Sequence, residues 1–435
     1  MKKVLIITYY WPPSGGAGVQ RWLKFVKYLR TYGWEPVVYT AENPEAPSLD
    51  YSLAKDIPEG LEVIRKPIWE PYSFYRKFVG MKKEDKISAG FLSESKQPGF
   101  TQKVAVWLRG NLFIPDARRF WISPSITFLT NYIRHNAIDA IISTGPPHTT
   151  HMIALGIKKR LGIPWLADFR DPWTEIDFYT DLKLTRIADK IHHKMELRVL
   201  KSADSVVIIS KSMAESFKKI YGRAYDIVTN GFDPEDTAIG GILQDKEFSL
   251  AHIGSMVKTR NPGLLWKVLR SLCDADSDFD RDLEIKLVGK VDFTVIESIK
   301  KYGLEKHLNK IEYLDHSAVI RVQQESQVLL LMINNTPNVK MILPGKFFEY
   351  LAAGRPILCI GAEGDASEIL QETGTGLFSS FEDEAALKSN IMTYYAAFSN
   401  GTLNVTSKGI ERFSREKLTG EITGILDRML GSTEV

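Results

Sequence analysis

Lys346 and Glu349 stand three residues apart, directly after the turn Pro344-Gly345. That spacing puts an ammonium and a carboxylate on one face of a short helix. The sequence predicts this helix from about Lys346 to Ala353, with Gly354 as its stop and Pro356 opening a buried apolar strand, Ile357 to Ile360. A helix that opens on a Pro-Gly turn presents backbone N–H groups with no intrahelical acceptor, which is a seat for a phosphate. Lys346 adds positive charge at that mouth. Glu349, one turn further on, can accept two hydrogen bonds from a ribose diol. Together they describe one end of a nucleoside diphosphate, although a solvated helix ahead of a strand accounts for the same residues without a ligand.

A second group of reactive side chains closes the segment Pro164-Trp-Leu-Ala-Asp-Phe-Arg-Asp-Pro-Trp173. Asp168, Arg170 and Asp171 follow the strand Trp165 to Ala167, at the carboxyl end where open α/β sheets place their chemistry. One of the carboxylates can serve an acceptor hydroxyl as a base. The structural alternative is an Asp–Arg bridge among the tryptophans, because charges are costly to bury unless paired. Thr144-Gly-Pro-Pro-His148 opens a helix with His148 and His151 on one face. No third ligand of matching character lies nearby in sequence, so hydrogen-bonded cleft histidines are preferred to a metal site.

The elements that must position these groups alternate throughout. Val4 to Thr8 reads as a buried strand, followed by the loop Tyr9-Tyr-Trp-Pro-Pro-Ser-Gly-Gly-Ala-Gly18 and an amphipathic helix to about Tyr32. Strand, glycine loop and helix open a doubly wound sheet. A dinucleotide fingerprint built on Gly16-Ala-Gly18 requires a glycine where Arg21 stands, so that motif fails. Further strands are expected at Pro36–Thr40, Glu62–Arg65, Asp139–Ser143, Ser205–Ile209 and Asp226–Val228. A second series runs Ser249–Ile253, Glu284–Val288, Lys310–Tyr313 and Val328–Met332, and a final helix spans Ser414 to about Leu430. The fold class is therefore α/β with parallel sheets, and 435 residues suit two domains.

The motif order resembles that of GT-B glycosyltransferases, specifically the retaining family 4 enzymes, in which P-x-K-x-x-E-Y-x-A-x-G-x-P recurs near the C-terminus as it does here from Pro344 to Pro356. The resemblance covers nearly the whole chain. It implies two Rossmann-like domains facing across a cleft, residues 1–236 with 412–435 packing back on them and residues 237–411, with the N-G-x-D turn Asn230 to Asp233 as the passage between them. The first domain is then the acceptor side, where His148 and His151 fall, and the second binds a UDP- or GDP-sugar. By the same likeness Gly15 and Gly16 approach the donor diphosphate, Gly345, Lys346 and Glu349 hold phosphate and ribose, and the loop at Tyr313-Leu314 receives the nucleobase. Relatives grip the diphosphate with a basic pair. Arg260 occupies the second position, Ser255 stands at the first, and Lys258 can compensate. Two further departures stand out. No His ends the Trp165 strand, and Met341 occupies the position of the first glutamate of E-x7-E, leaving the sugar to backbone N–H groups around Ile342 to Gly345.

The implied reaction moves a hexose-type sugar to an acceptor hydroxyl with retention, without metal or cofactor, in capsule, O-antigen, lipopolysaccharide or other surface polysaccharide assembly. Hydrophobic residues at 44%, charged residues at 25% and a net charge of +3 are ordinary for a soluble protein and give no reason to expect a nucleic-acid partner. Cys273 and Cys359 show no ligand-like spacing, which fits a reduced cytoplasmic interior without disulfide or metal framework. No stretch reaches the ~20 apolar residues of a membrane span. Met-Lys-Lys with Val4 to Tyr10 imitates a leader only briefly before Pro12-Pro13, and reads as a first strand.

Residues 65–122 carry 12 Lys and Arg against 5 Asp and Glu, interleaved with 11 aromatics. That mixture suits an anionic membrane surface, nucleic acid or a phosphorylated acceptor, or a solvated insertion whose aromatics pack on their own domain. The resemblance, in which this region faces an often lipid-linked acceptor, favours the inner face of the plasma membrane or a lipid pyrophosphate. Ile114-Pro-Asp-Ala-Arg118 within it is a recurring family element. The D-x-D spacings of Asp274 to Asp280 are expected in an acidic surface loop, and His192-His193 on a surface helix from Arg186 to Ser202. Two rival classes remain: a dinucleotide-dependent oxidoreductase, and a non-catalytic membrane-associated assembly protein of the same fold.

Overall fold

The computed structural model describes residues 1–46, 48–70, 100–237, 241–312 and 314–431. The chain forms two compact units, Met1–Thr229 with Arg415–Val435 and Asn230–Ser414. In the first, the described residues build a seven-stranded sheet from β1 (Lys2–Ile7), β2 (Trp34–Ala41), β3 (Glu62–Lys66), β4 (Ala140–Gly145), β5 (Trp165–Phe169), β6 (Ser205–Ile208) and β7 (Asp226–Ile227). Their order is β3-β2-β1-β4-β5-β6-β7, all parallel. Val4 to Ile7 and Trp165 to Phe169 are fully buried, as strands covered by helices on both faces must be.

Helix α1 (Ala17–Leu29) turns Val19, Trp22, Leu23, Val26 and Leu29 inward at helical spacing. The C-terminal helix Arg415–Gly431 meets it with Leu418, Ile422, Ile425 and Leu426, and all of these side chains share one core with β1 and β4. Burying each such aliphatic side chain contributes about 1.5–3 kcal/mol. Helix α2 (Thr149–Leu161) follows β4, and α3 (Arg186–Ser202) precedes β6. His192 of α3 is buried rather than on the surface, because its Nδ1 takes the indole N–H of Trp173 at 3.0 Å. The same helix is otherwise charged, which hid this inward face.

The second unit repeats the plan. Strands β8 (Phe248–Ile253), β9 (Leu283–Val288), β10 (Leu308–Ile311), β11 (Val328–Met332), β12 (Ile357–Gly361) and β13 (Gly376–Ser380) are ordered β10-β9-β8-β11-β12-β13 and are parallel. Helices α4 (Gly263–Ala275), α5 (His316–Glu325) and α6 (Gly345–Ala352) cover it. The expected strand at 310–313 lies two residues earlier, and Tyr313 is outside the described residues. β13 carries no long apolar run and is only half-buried, so periodicity does not reveal it. Nor is Asp274 to Asp280 an acidic loop. Asp276 caps a short helix, Ser277–Asp282, by accepting from the N–H groups of Asp278 and Phe279. In each sheet the strand progression reverses once, between β1 and β4 and between β8 and β11, and such switch points are where doubly wound sheets bind ligands.

Candidate functional site

At the switch point of the second sheet, β8 ends in Ile253 and the chain turns at Gly254, whose φ of +111° only glycine adopts easily. The loop that follows carries Lys258 and Arg260 on a 3-10 turn, with Lys258 exposed. The Arg260 guanidinium donates to the Ser255 carbonyl at 3.0 Å and to the side chain of Asn334, just beyond β11. Asn335 N–H returns a bond to the Thr259 carbonyl at 2.9 Å. The two loops flanking the switch point are thus stitched together. Ser255, at the first position of the expected basic pair, contributes its carbonyl to the second.

Lys346 enters from the first turn of α6. Its ammonium donates to the Ile253 carbonyl and to Nε2 of His252, both at 3.0 Å. His252 Nδ1 lies 3.1 Å from the Leu330 carbonyl, so that nitrogen carries the proton and Nε2 offers a lone pair to Lys346. Burial, with Lys346 and Arg260 nearby, holds His252 neutral and far below the usual histidine range. Burial and Arg260 likewise depress the Lys346 ammonium well below an ordinary lysine, with Glu349 acting the other way. A bound anion beside Lys346 would favour its charged form.

Helix α6 begins at Pro344 without a side-chain cap, and a Cβ at Gly345 would meet nothing within 4 Å. The N–H groups of Gly345 and Lys346 fall before the first intrahelical bond, while Phe347 N–H bonds the Pro344 carbonyl at 3.0 Å. Tyr350 pins the helix to the sheet, its hydroxyl accepting from Ile253 N–H at 3.0 Å. Glu349 is half-buried and one oxygen takes a bond from Gln323 of α5 at 3.2 Å. Met341 and Leu314 are both half-buried. Beside Arg260 a pocket is lined by Thr259, Met332, Asn335, Ile360 and Phe381.

The charges that close β5 in the first unit behave differently. Asp168 is completely buried, and Arg21 clasps it through Nε at 3.1 Å and Nη2 at 2.8 Å. Trp22 Nε1–H and the Thr144 hydroxyl donate to its other oxygen at 2.6 and 2.8 Å. Burial pushes its pKa up, but Arg21 and these donors outweigh it and hold the carboxyl below the usual range. Arg21 also bonds the Val228 and Thr229 carbonyls, so this network ties α1 to the end of β7. Asp168, the candidate base of the sequence reading, is held here as a structural anchor. Arg170 is buried too and spends its guanidinium on the carbonyls of Gly18, Gly145 and Pro146. It braces the loops after β1 and β4 and is not a group facing an acceptor. Only Asp171 is exposed.

The candidate histidines are buried in aromatic stacks. His148 lies on Trp173 with ring centres 4.3 Å apart, and His151 on Phe169 at 4.4 Å. Ser143 accepts from the Trp165 indole and bonds His151 Nδ1, both at 2.8 Å. Burial lowers both imidazoles, that of His151 to about 3, so both are neutral. Of the glycine pair, Gly15 is buried and its N–H is spent on the Ser48 carbonyl at 2.9 Å, which removes it from the diphosphate seat. Gly16 is exposed, has φ +95° and opens α1. Asp116, within Ile114 to Arg118, binds both the N–H and the hydroxyl of Thr149 at 2.9 Å and so seats the start of α2.

Residues 236–396 match the family model described as Glycosyl transferases group 1. That match lies within the second unit, Asn230–Ser414. No curated protein matches the chain. Among solved structures, the whole chain is similar to a sucrose-phosphate synthase of Thermosynechococcus elongatus, at TM-score 0.64 and 13% identity, over 99% of this chain and 100% of that one. It is similar to HepE of Anabaena in complex with UDP, at TM-score 0.62 and 13% identity, over 98% and 100%. A third is WaaG, a glycosyltransferase of lipopolysaccharide biosynthesis, at 0.57 and 14% identity, over 97% and 100%. At such identities the likeness speaks for the fold, which is GT-B. Within the matched stretch the structure brings together Lys346, Arg260 and the start of α6. It adds His252, Gln323, Asn334 and Tyr350, which the sequence reading left unassigned. Asn334 was findable, since it lies two residues past β11, the strand that flanks the switch point.

Proposed function

We propose that the protein is a glycosyltransferase that moves a sugar from a nucleoside-diphosphate sugar to an acceptor hydroxyl. The observation that carries this reading is the meeting of Arg260, Lys346 and the uncapped start of α6 at the switch point, inside the stretch that matches the group 1 family. As the bond from the anomeric carbon to the diphosphate oxygen breaks, charge develops on the departing phosphate. Arg260, Lys346 and the α6 N–H groups are placed to take it up, without metal. The diphosphate lies against Gly345 and Lys346 and the ribose diol against Glu349, with Lys258 adding exposed charge. The loop at Leu314 then takes the base.

Retention at the anomeric carbon and membership of family 4 follow from the Pro344–Pro356 motif. A UDP-sugar is preferred to a GDP-sugar because the similar HepE structure contains UDP. Surface polysaccharide or lipopolysaccharide assembly is preferred because WaaG serves the latter. Asp171, the exposed carboxylate at the end of β5, is the group left to meet the acceptor hydroxyl. Trp69 and Phe120, exposed and edge to face at 4.8 Å, suit a lipid-linked acceptor at the inner membrane surface, whereas Trp121 is buried against Tyr39. Among the described residues no helix is long and apolar enough to cross a membrane. A thermal-shift screen of the full chain against UDP- and GDP-sugars and NAD tests the reading. Stabilisation by a nucleotide sugar, with its slow hydrolysis in the absence of acceptor, is expected; stabilisation by NAD alone overturns it.

A further inference from the structure

At the opposite end of the second sheet from Arg260 and Lys346, three side chains from separate elements converge. Cys273 ends the last turn of α4, Asp280 lies on the short helix Ser277–Asp282, and His307 immediately precedes β10. Their sulfur, oxygen and nitrogen atoms all lie within 4.8 Å of one another, with Cys273 and His307 buried and Asp280 partly exposed. His307 Nε2 is 3.1 Å from Asp280 Oδ1 and 3.9 Å from Cys273 Sγ. A tetrahedral zinc ion with its usual bond lengths separates such N···O and N···S pairs by about 3.3 and 3.6 Å. The observed separations are within a few tenths of an ångström of both.

The orientation of the ring is the deciding feature. His307 Nδ1 lies 3.1 Å from the Leu283 carbonyl, so the ring donates there. Its other nitrogen then faces a carboxylate oxygen at 3.1 Å, which is acceptor against acceptor unless a proton or a cation lies between them. A ring N–H held by a backbone carbonyl is also how metal-ligating histidines are usually fixed. The second Asp280 oxygen is taken by Lys306 at 2.5 Å, which orients the carboxylate with Oδ1 toward the other two ligands.

We propose that Cys273, Asp280 and His307 form a divalent-cation site, for which zinc is the fitting ion. One thiolate, one imidazole and one carboxylate are borderline-soft donors, and a water completes the tetrahedron from the open side of Asp280. On binding, the cysteine S–H bond gives way to a sulfur–metal bond and the proton leaves to solvent. The ion clips the end of α4 and the helix after it to the start of β10. It sits at the amino ends of the strands and takes no part in sugar transfer, so its failure would leave the functional proposal above untouched.

The test is titration of the chelator-stripped full chain with zinc chloride, followed by calorimetry and metal analysis, and with cobalt chloride, followed by absorption. One equivalent of zinc, a thiolate-to-cobalt charge-transfer band and a rise in melting temperature are expected. Cys273→Ser abolishes the band and weakens zinc at least tenfold, and Asp280→Asn, on the more exposed side, weakens it with the fold intact by circular dichroism. Absence of binding overturns the proposal and leaves a doubly donating imidazolium in that place. So does binding unchanged in Cys273→Ser, which would assign the ion to surface histidines.

Discussion

The two units share a strand order around their switch points yet use the carboxyl ends of their strands in opposite ways. In the first, the charges are consumed internally: Asp168 by Arg21, Trp22 and Thr144, and Arg170 by three backbone carbonyls. In the second, Arg260 and Lys346 are positioned by the Ser255 and Ile253 carbonyls, Asn334 and a neutral histidine. A buried carboxylate–guanidinium pair leaves nothing for a ligand. The same topology thus gives one strand end closed by a buried ion pair and one that holds the candidate phosphate site.

The sharpest way to break this contrast is Asp168→Ala. It leaves Arg21 buried without its counter-charge and should cost about 3–5 kcal/mol of stability, read by denaturant unfolding. Because the folded-state pKa of Asp168 is depressed, its contribution is present above the unfolded aspartate value and is lost as pH falls through that value and below. The variant should therefore show a flatter acid limb. A loss below ~1 kcal/mol would mean that the first unit is not sealed by this network.

Arg260→Ala should leave the fold stable but weaken a nucleoside diphosphate by about 1.5–3 kcal/mol in calorimetry, with the bare nucleoside unchanged. Equal losses for both ligands would remove Arg260 from the phosphate site. Glu349→Ala should weaken diphosphate and nucleoside alike by about 1–3 kcal/mol, as expected for unpairing a charged hydrogen bond to the ribose. Unchanged affinity would leave Glu349 as no more than a partner for Gln323.

The smallest effect concerns protons. Lys346 is depressed in the empty site, and a diphosphate beside it should raise its pKa. Binding should then take up protons at pH values between the free and bound pKa, where affinity falls as pH rises. Calorimetry in buffers of different ionisation enthalpy reads this uptake. Its persistence in Lys346→Met would assign it elsewhere.

The second unit's site was legible because its residues are close in sequence. Pro344, Gly345, Lys346, Glu349 and Tyr350 occupy one turn and one short helix, and helical geometry alone places them. The failed dinucleotide fingerprint was also legible at Arg21, though its cause was not. That arginine is the counter-ion of Asp168, 147 residues away, and no periodicity reports a partner at that distance. Gly15 and Gly16 are adjacent and chemically identical, yet one packs against Ser48 and the other opens a helix.

What the sequence determined by itself is the alternation of strands and helices, the parallel α/β class and the turn and short helix from Pro344 to Ala352, since these depend on periods of a few residues and on turn chemistry. Tertiary structure alone decided which charges are neutralised. It buried Asp168 and Arg170, left Asp171 exposed, set His252 beneath Lys346, and drew Cys273, Asp280 and His307 together from three elements. The reason is physical. Whether an ionisable group is a tool or a strut depends on the dielectric and partners around it, and those come from chain segments far apart in sequence.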